Sequence, residues 1–213
     1  MKSFIICLVS ISVLFACGTE KKEVVTNSIA QDLKSTKAAT DTIIEQTMFK
    51  VTDDSLSVLK WTGSTFIKSH FGTVNFKGAL GVAKGKLVSG DLTFDMNTIS
   101  TLDLKGKGKQ KLDKHLKNED FFDVKNFPNA HLKIKSFDGE NLIAELTIKE
   151  ITKEISFPAN LEIKENSLSG NANFTINRTE YGVLHNAKNF YKIAKDRIIS
   201  DDIEFNVSIK AIK

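Results

Sequence analysis

The groups in this chain with chemistry to offer are four histidines, two cysteines and a few carboxylates near aromatic residues. His70, His131 and His185 are scattered, with no i, i+4 pair to set two imidazoles on one helix face for a metal. His115, beside Asp113 and ahead of Asp120, has the placement to orient a polar ligand group or to move a proton. Its simpler role is a hydrogen bond that pins a short helix to the loop after it. Asp120 and Asp123 flank Phe121 and Phe122; they read as capping or turn groups rather than as a catalytic carboxylate pair. Arg178 has two roles open to it, a partner for a nearby carboxylate or a donor to a ligand oxygen, and the structural one is the expectation. Lys105-Gly106-Lys107-Gly108-Lys109 lacks the spacing of a phosphate-binding loop and reads as a basic turn that could face anionic lipid. No Gly-x-Ser-x-Gly element is present. No metal site, cofactor or catalytic residue is expected.

Cys17 is the exception. A short positive start, Met1-Lys2-Ser3, leads into a mostly apolar run from Phe4 to Ala16. That run is shorter than the roughly 20 residues a membrane span needs, and fits the core of a secretory signal. Leu14-Phe15-Ala16-Cys17 resembles the bacterial lipobox, in which the cysteine thiol receives a diacylglyceryl group and the signal is cut before it. Residues 1–16 are thus expected to be a lipoprotein signal and Cys17 the lipidated residue. Two or more acyl chains hold a protein on a membrane durably where one does not. The expected location is the cell envelope, at the outer membrane, on its periplasmic or surface-exposed face. Both cysteines, Cys7 and Cys17, fall in this segment, so no disulfide braces the rest.

From Gly18 to Met48 there is no aromatic residue and no proline, and Thr, Ser, Lys, Glu and Ala dominate. Such a stretch cannot bury enough apolar surface to order itself. Residues 17–48 are therefore read as the lipidated cysteine and a flexible tether, reaching about 30 Å between its ends. Phe49 to Lys213 is read as one domain. The net charge of +4 is modest and acidic residues are interleaved with the lysines, which argues against nucleic acid as a partner. Fifteen Phe against one Trp and two Tyr point to a large interior without polar tips to satisfy.

In this domain the hydrophobic period is two. Leu92, Phe94 and Met96 alternate with Thr93, Asp95 and Asn97; Ala130, Leu132 and Ile134 follow suit, as do Ala144, Leu146 and Ile148. The pattern recurs over Ile155–Ile163, Leu168–Ile176 and Ile203–Ala211, and more weakly over Leu56–Phe66 and Gly72–Leu80. Alternation marks strands that are dry on one face, about eight in all. Turns are expected at Ala83–Lys86, Asp138–Asn141 and Lys164–Ser167. Gly108–Asn118, with Leu112 and Leu116 four apart, predicts one short helix. Antiparallel strands of this kind fit a sandwich or a closed barrel; eight strands would leave a barrel interior either filled by side chains or just wide enough for one slender ligand.

Several stretches resemble the YceI-like family: Leu59-Lys60-Trp61-Thr62-Gly63, His70-Phe71-Gly72-Thr73-Val74 with Phe76-Lys77-Gly78, Gly90-Asp91-Leu92-Thr93-Phe94, and His115 through Val124 leading into Asn126-Phe127-Pro128-Asn129-Ala130. Leu146-Thr147-Ile148-Lys149-Glu150-Ile151-Thr152-Lys153 is similar to a family element that usually carries Gly at the position of Glu150, and Arg178-Thr179-Glu180-Tyr181-Gly182 looks like its turn. The resemblance runs in order from Ser55 to Lys213. It implies an all-β, antiparallel eight-stranded lipocalin-like barrel that binds a polyisoprenoid or similar amphiphile, without catalysis.

The expected ligand-lining residues are Trp61, Phe76, Phe94, Met96, Phe157, Phe174 and Phe205 on the strands, with Phe121, Phe122 and Tyr181 near a mouth. Core packing is the other role open to each of them. The functional expectation is sequestration or transport of an isoprenoid-type lipid, a quinone or its precursor, by a membrane-tethered monomer or homodimer. The rival expectation is an envelope interaction protein whose barrel is filled by its own side chains.

Overall fold

The computed structural model describes residues 45–52, 56–188 and 194–213. The signal segment 1–16, Cys17 and the tether as far as residue 44 lie outside the described residues. The residues Ile43–Lys213 form one compact unit, and its strand pairings and core come from its own residues.

The period-two segments become antiparallel strands joined into one sheet: β1 (Thr47–Val51), β2 (Val58–Thr65), β3 (Ser69–Ala83), β4 (Lys86–Thr101), β5 (Asn129–Phe137), β6 (Asn141–Ile148), β7 (Ile151–Ile163), β8 (Ser167–Asn177) and β9 (Ile199–Ile212). Around the wall the order is β3-β2-β9-β8-β7-β6-β5-β4, and β4 returns to pair with β3. The sheet is therefore a closed eight-stranded barrel, which leaves no long exposed edge.

Nine strands make eight places because the first wall strand comes in two pieces. β2 lies between β3 and β9 along one stretch, with Leu59 opposite Val74 and Val207. β1 occupies the same slot further along, with Phe49 opposite Leu80 and Val51 opposite Ala211. β1 begins at Thr47, inside the last residues read as tether, and Gln46 accepts a hydrogen bond from the Ser89 hydroxyl at 2.7 Å.

The hairpin turns at residues 84–85, 138–140 and 164–166 fall where expected. A further one was not anticipated: Lys149 and Glu150 link β6 to β7, both with positive φ, 49° and 65°. Positive φ at both central residues is the signature of a tight type I′ turn, a position that favours Asn and Gly. Glycine is required elsewhere. Gly72 sits opposite Trp61, and a Cβ there would lie 2.0 Å from the Ser100 carbonyl oxygen and 2.5 Å from the indole.

The helix α1 (Gly106–Lys117) follows β4. Lys109 and Asp113, one turn apart, pair at 2.8 Å. Asp113 also accepts the Thr101 N–H at 2.7 Å, and Lys109 donates to the Thr101 carbonyl at 2.6 Å. Together they fasten the helix to the end of β4.

Candidate functional site

The two ends of the barrel are built differently. The β3–β4, β5–β6 and β7–β8 hairpins gather at one end, where Phe49, Leu80, Leu87, Leu168 and Ala211 are all buried to 2% exposure or less. The other end carries the β2–β3 hairpin, α1 with the loop after it, the Lys149–Glu150 turn and the 3-10 turn Arg178–Tyr181. Between them runs a cavity of about 210 Å³ with an almost wholly apolar lining. Its wall extends from Leu80, Leu87, Leu161 and Ile209 toward the hairpin end to Phe121 and Phe122 at the helical end, while Phe49, Leu168 and Ala211 lie outside it. Ser64, Thr65, Lys68 and His70, which are exposed or half-buried, border it at the helical end and mark the mouth.

Of the residues expected to line the interior, Trp61, Phe76, Phe94, Met96, Phe157, Phe174 and Phe205 all face this cavity, as do Phe121 and Phe122 at its mouth. Phe174, Phe205, Val207 and Ile209 point inward yet are only half-buried. Packed against the core on one side, they border the open cavity on the other, so the barrel is not plugged by its own rings. The aromatics are ordered along the wall. Phe174 stacks on Phe157 at 4.1 Å and on Phe205 at 5.3 Å between ring centroids, and Phe76 meets Phe94 at 5.4 Å. The Trp61 indole N–H donates to the Thr73 carbonyl at 3.3 Å, which fixes that ring against the wall.

Tyr181 is the exception among the ten. It is buried in the 3-10 turn and is not part of the cavity wall. Burial, with a smaller push from Glu180, raises its phenol to about 12, so it stays protonated. The 3-10 turn lies at the helical end, and Tyr181 is buried within it rather than set in the cavity wall.

The polar groups of the site gather at the mouth. Arg178, 1% exposed, donates from Nε to the Ser200 carbonyl at 2.8 Å, from Nη1 to Val183 at 2.6 Å and from Nη2 to Ile199 at 3.0 Å. Asp201 lies 4.0 Å away and the Phe121 ring centroid 5.6 Å. Burial draws the guanidinium below its usual value while Asp201 opposes the shift. With its donors aimed at carbonyls, Arg178 ties the segment after β8 to the start of β9.

His115 turns toward the cavity from α1. Its Nδ1 lies 3.4 Å from the Asn118 side-chain amide, and its edge meets Phe121 at 5.4 Å. The ring of His185 packs against it at 4.6 Å, a meeting of residues seventy apart that spacing does not reveal. Burial, then His185, pull the His115 pKa below 6.5, with Asp120 opposing. Among the described residues no group of three His, Cys, Asp or Glu side chains is gathered as for a metal ion. Sequence reasoning passed over Leu112 and Leu116 as lining residues; both face the cavity from α1, and their helical spacing was the available signal.

Residues 49–211 match the YceI-like domain family. A stretch of 106 residues is 30% identical to a UPF0312 protein of Staphylococcus aureus, covering 45% of this chain and 62% of that protein, less than two thirds of its length. Among solved structures, BcnA of Burkholderia cenocepacia superposes with a TM-score of 0.58 at 15% identity, over 73% of this chain and 96% of that one. A polyisoprenoid binding domain from Saccharophagus degradans, implicated in plant cell wall breakdown, gives 0.58 at 13% identity, over 77% and 97%. The barrel is the fold these structures share, and with 49–211 matched the chain belongs to the YceI-like domain family.

Proposed function

We propose that the barrel binds a slender apolar lipid of the isoprenoid class, a quinone or its precursor, and shields it from water without chemical change. The observation that carries this reading is the open apolar cavity, bordered by inward-facing Phe174, Phe205, Val207 and Ile209 that their neighbours leave half-buried. Each five-carbon isoprene unit moved from water into such a lining gains roughly 3–4 kcal/mol before ordering costs reduce it. The tail would lie along the barrel axis with its polar head at the mouth, near His115. Selectivity would come from length and cross-section, since few polar groups reach the interior.

Cys17 lipidation and the tether to residue 48 would hold the domain in the bacterial envelope, within reach of membranes that contain such lipids. The outer membrane, on its periplasmic or outward face, is the location this reading favours. The likeness to a polyisoprenoid binding domain supports the ligand class and leaves the individual ligand open.

Native mass spectrometry of the Ile43–Lys213 domain tests the proposal. The expected spectrum shows a copurifying apolar adduct of defined mass, or stoichiometric uptake of added geranylgeraniol. A bare mass that no added isoprenoid alters would contradict it and favour a barrel that acts through its surface.

A further inference from the structure

The mouth carries apolar side chains that no part of the cavity uses. Phe66 and Ile67, at the tip of the β2–β3 hairpin, are 83% and 67% exposed. Leu102, where β4 ends, is 56% exposed. Its N–H bonds to the Phe71 carbonyl at 2.9 Å, which sets it one strand over and a few residues below the hairpin tip. At about 3.3 Å per residue these side chains fall within a single patch. Asp103 holds the arrangement together: it accepts from His70 at 2.7 Å and from the Phe71 N–H at 3.1 Å, clamping the start of the linker to α1 against β3.

Apart from Asp103, held by His70 and the Phe71 N–H, the charge that α1 sets beside this patch is mostly basic. In α1, Leu112, His115 and Leu116 face the cavity, so the helix lies across the mouth. Lys107, Lys111 and Lys114 are exposed and spaced i, i+4, i+7, which puts them on one face, away from the cavity. The helix has a single acid, Asp113, already engaged by Lys109 and the Thr101 N–H. Exposed Lys105 and Lys68 extend the basic rim toward the hairpin. On the far side of β2 the sign reverses, with exposed Asp202 and Glu204 on β9.

We infer that this face, the Phe66–Ile67 tip with Leu102 and the α1 lysine stripe, docks the mouth of the barrel onto an anionic lipid bilayer. Apolar side chains rimmed by lysines match the two layers such a surface presents, acyl chains beneath and negative headgroups above. A water-soluble protein gains nothing from holding Phe and Ile at a hairpin tip in solvent, whereas a bilayer buries them. The acidic flank of β9 fixes the tilt, because it must stay outside the headgroup layer. Resting on the binding role proposed above, docking in this pose lets a lipid pass between bilayer and cavity without crossing open water.

The test is sedimentation of the Ile43–Lys213 domain with phosphatidylcholine vesicles, with and without phosphatidylglycerol. The wild-type domain should pellet with the anionic vesicles and stay largely soluble with the neutral ones. Each surface lysine near such a membrane strengthens binding about fivefold, so Lys107→Glu/Lys111→Glu/Lys114→Glu should weaken it by roughly a hundredfold or more. Phe66→Ser/Ile67→Ser should also release the domain, and this loss should persist in high salt, where the lysine contribution fades. All these side chains are exposed and lie off the cavity wall, so both variants should keep the wild-type circular dichroism and uptake of geranylgeraniol added from ethanol. Equal binding of wild type and both variants, or failure of the wild type to pellet, overturns the inference. Docking without uptake would instead fail the cavity reading alone, and uptake without docking would fail this one alone.

Discussion

The hairpin end and the helical end of this barrel are made from the same kind of strand and do opposite things. At the hairpin end, short turns hold inward residues side by side on neighbouring strands: Phe49 pairs with Leu80, Val82 pairs with Leu87, and Leu168 and Ala211 are wholly buried. At the helical end the connections are long. α1, the loop through Phe121 and Phe122 and the segment after β8 roof the opening without filling the space below it, and nearly every polar group of the interior collects there. Strand patterning makes a barrel, but connection length decides which end is sealed and which admits a guest.

The largest expected difference between the ends is in the response to truncation. Leu168→Ala opens a void in packed surroundings and should destabilise by about 3–4 kcal/mol. Phe205→Ala removes more atoms, yet its ring already borders open space, so the loss should be only about 1–2 kcal/mol, with weaker lipid uptake. Urea unfolding of both variants measures this; equal losses would mean that the interior is packed throughout.

Gly72 is where the helical half is tightest. Gly72→Ala drives a methyl group into the Ser100 carbonyl and the Trp61 ring, and should cost about 2–3 kcal/mol in the same assay. It should also shift the Trp61 fluorescence as the indole is displaced from the wall.

The mouth should respond to acid where the sealed end does not. Burial, then His185, hold the folded His115 below 6.5, so an unfolded chain binds the proton first. Stability is complete above about 6.5 and falls as the pH drops from there toward the lower folded value. His185, Asp120 and Lys111 are the charged groups that set this shift. Urea midpoints measured on either side of that pH should show the decline, and His115→Gln should flatten it.

The smallest effect should be a gain. Glu150 adopts φ 65° in the β6–β7 turn at the helical end. Glu150→Gly relieves that strain and should stabilise by about 0.5–1 kcal/mol, visible as a small rise in melting temperature.

The same contrast explains what the residues disclosed in advance. Leu92, Phe94 and Met96 are buried at alternate positions as their pattern demands, and Leu112 with Leu116 located α1 to within two residues at its start. The Gly- and Asn-bearing hairpins were readable because their residue types favour turns. The Lys149–Glu150 turn was not, since neither residue favours positive φ and only strand pairing on both sides imposes it. The division of the first wall strand into β1 and β2 was hidden for a similar reason: Met48–Val51 is too short to show a period. Seven of the ten expected lining residues reached the cavity because inward-facing strand positions are fixed by alternation, and Phe121 and Phe122 reach it from the loop after α1. The mouth was harder to read. Which way Tyr181 turns, that His115 meets His185 and that Arg178 spends its donors on three carbonyls all depend on how long connections fold back, and such contacts leave no periodic trace.

The most direct measurement uses Trp61, the sole tryptophan in the chain, whose indole lines the cavity. Titrating the Ile43–Lys213 domain with a short-chain prenylated benzoquinone should quench its emission saturably, at one equivalent per barrel, and Phe174→Asp, in register with Trp61 two strands around the wall, should abolish the effect while the circular dichroism stays native. Quenching that rises linearly without saturation, alike in both proteins, would mean that the quinone never enters the barrel.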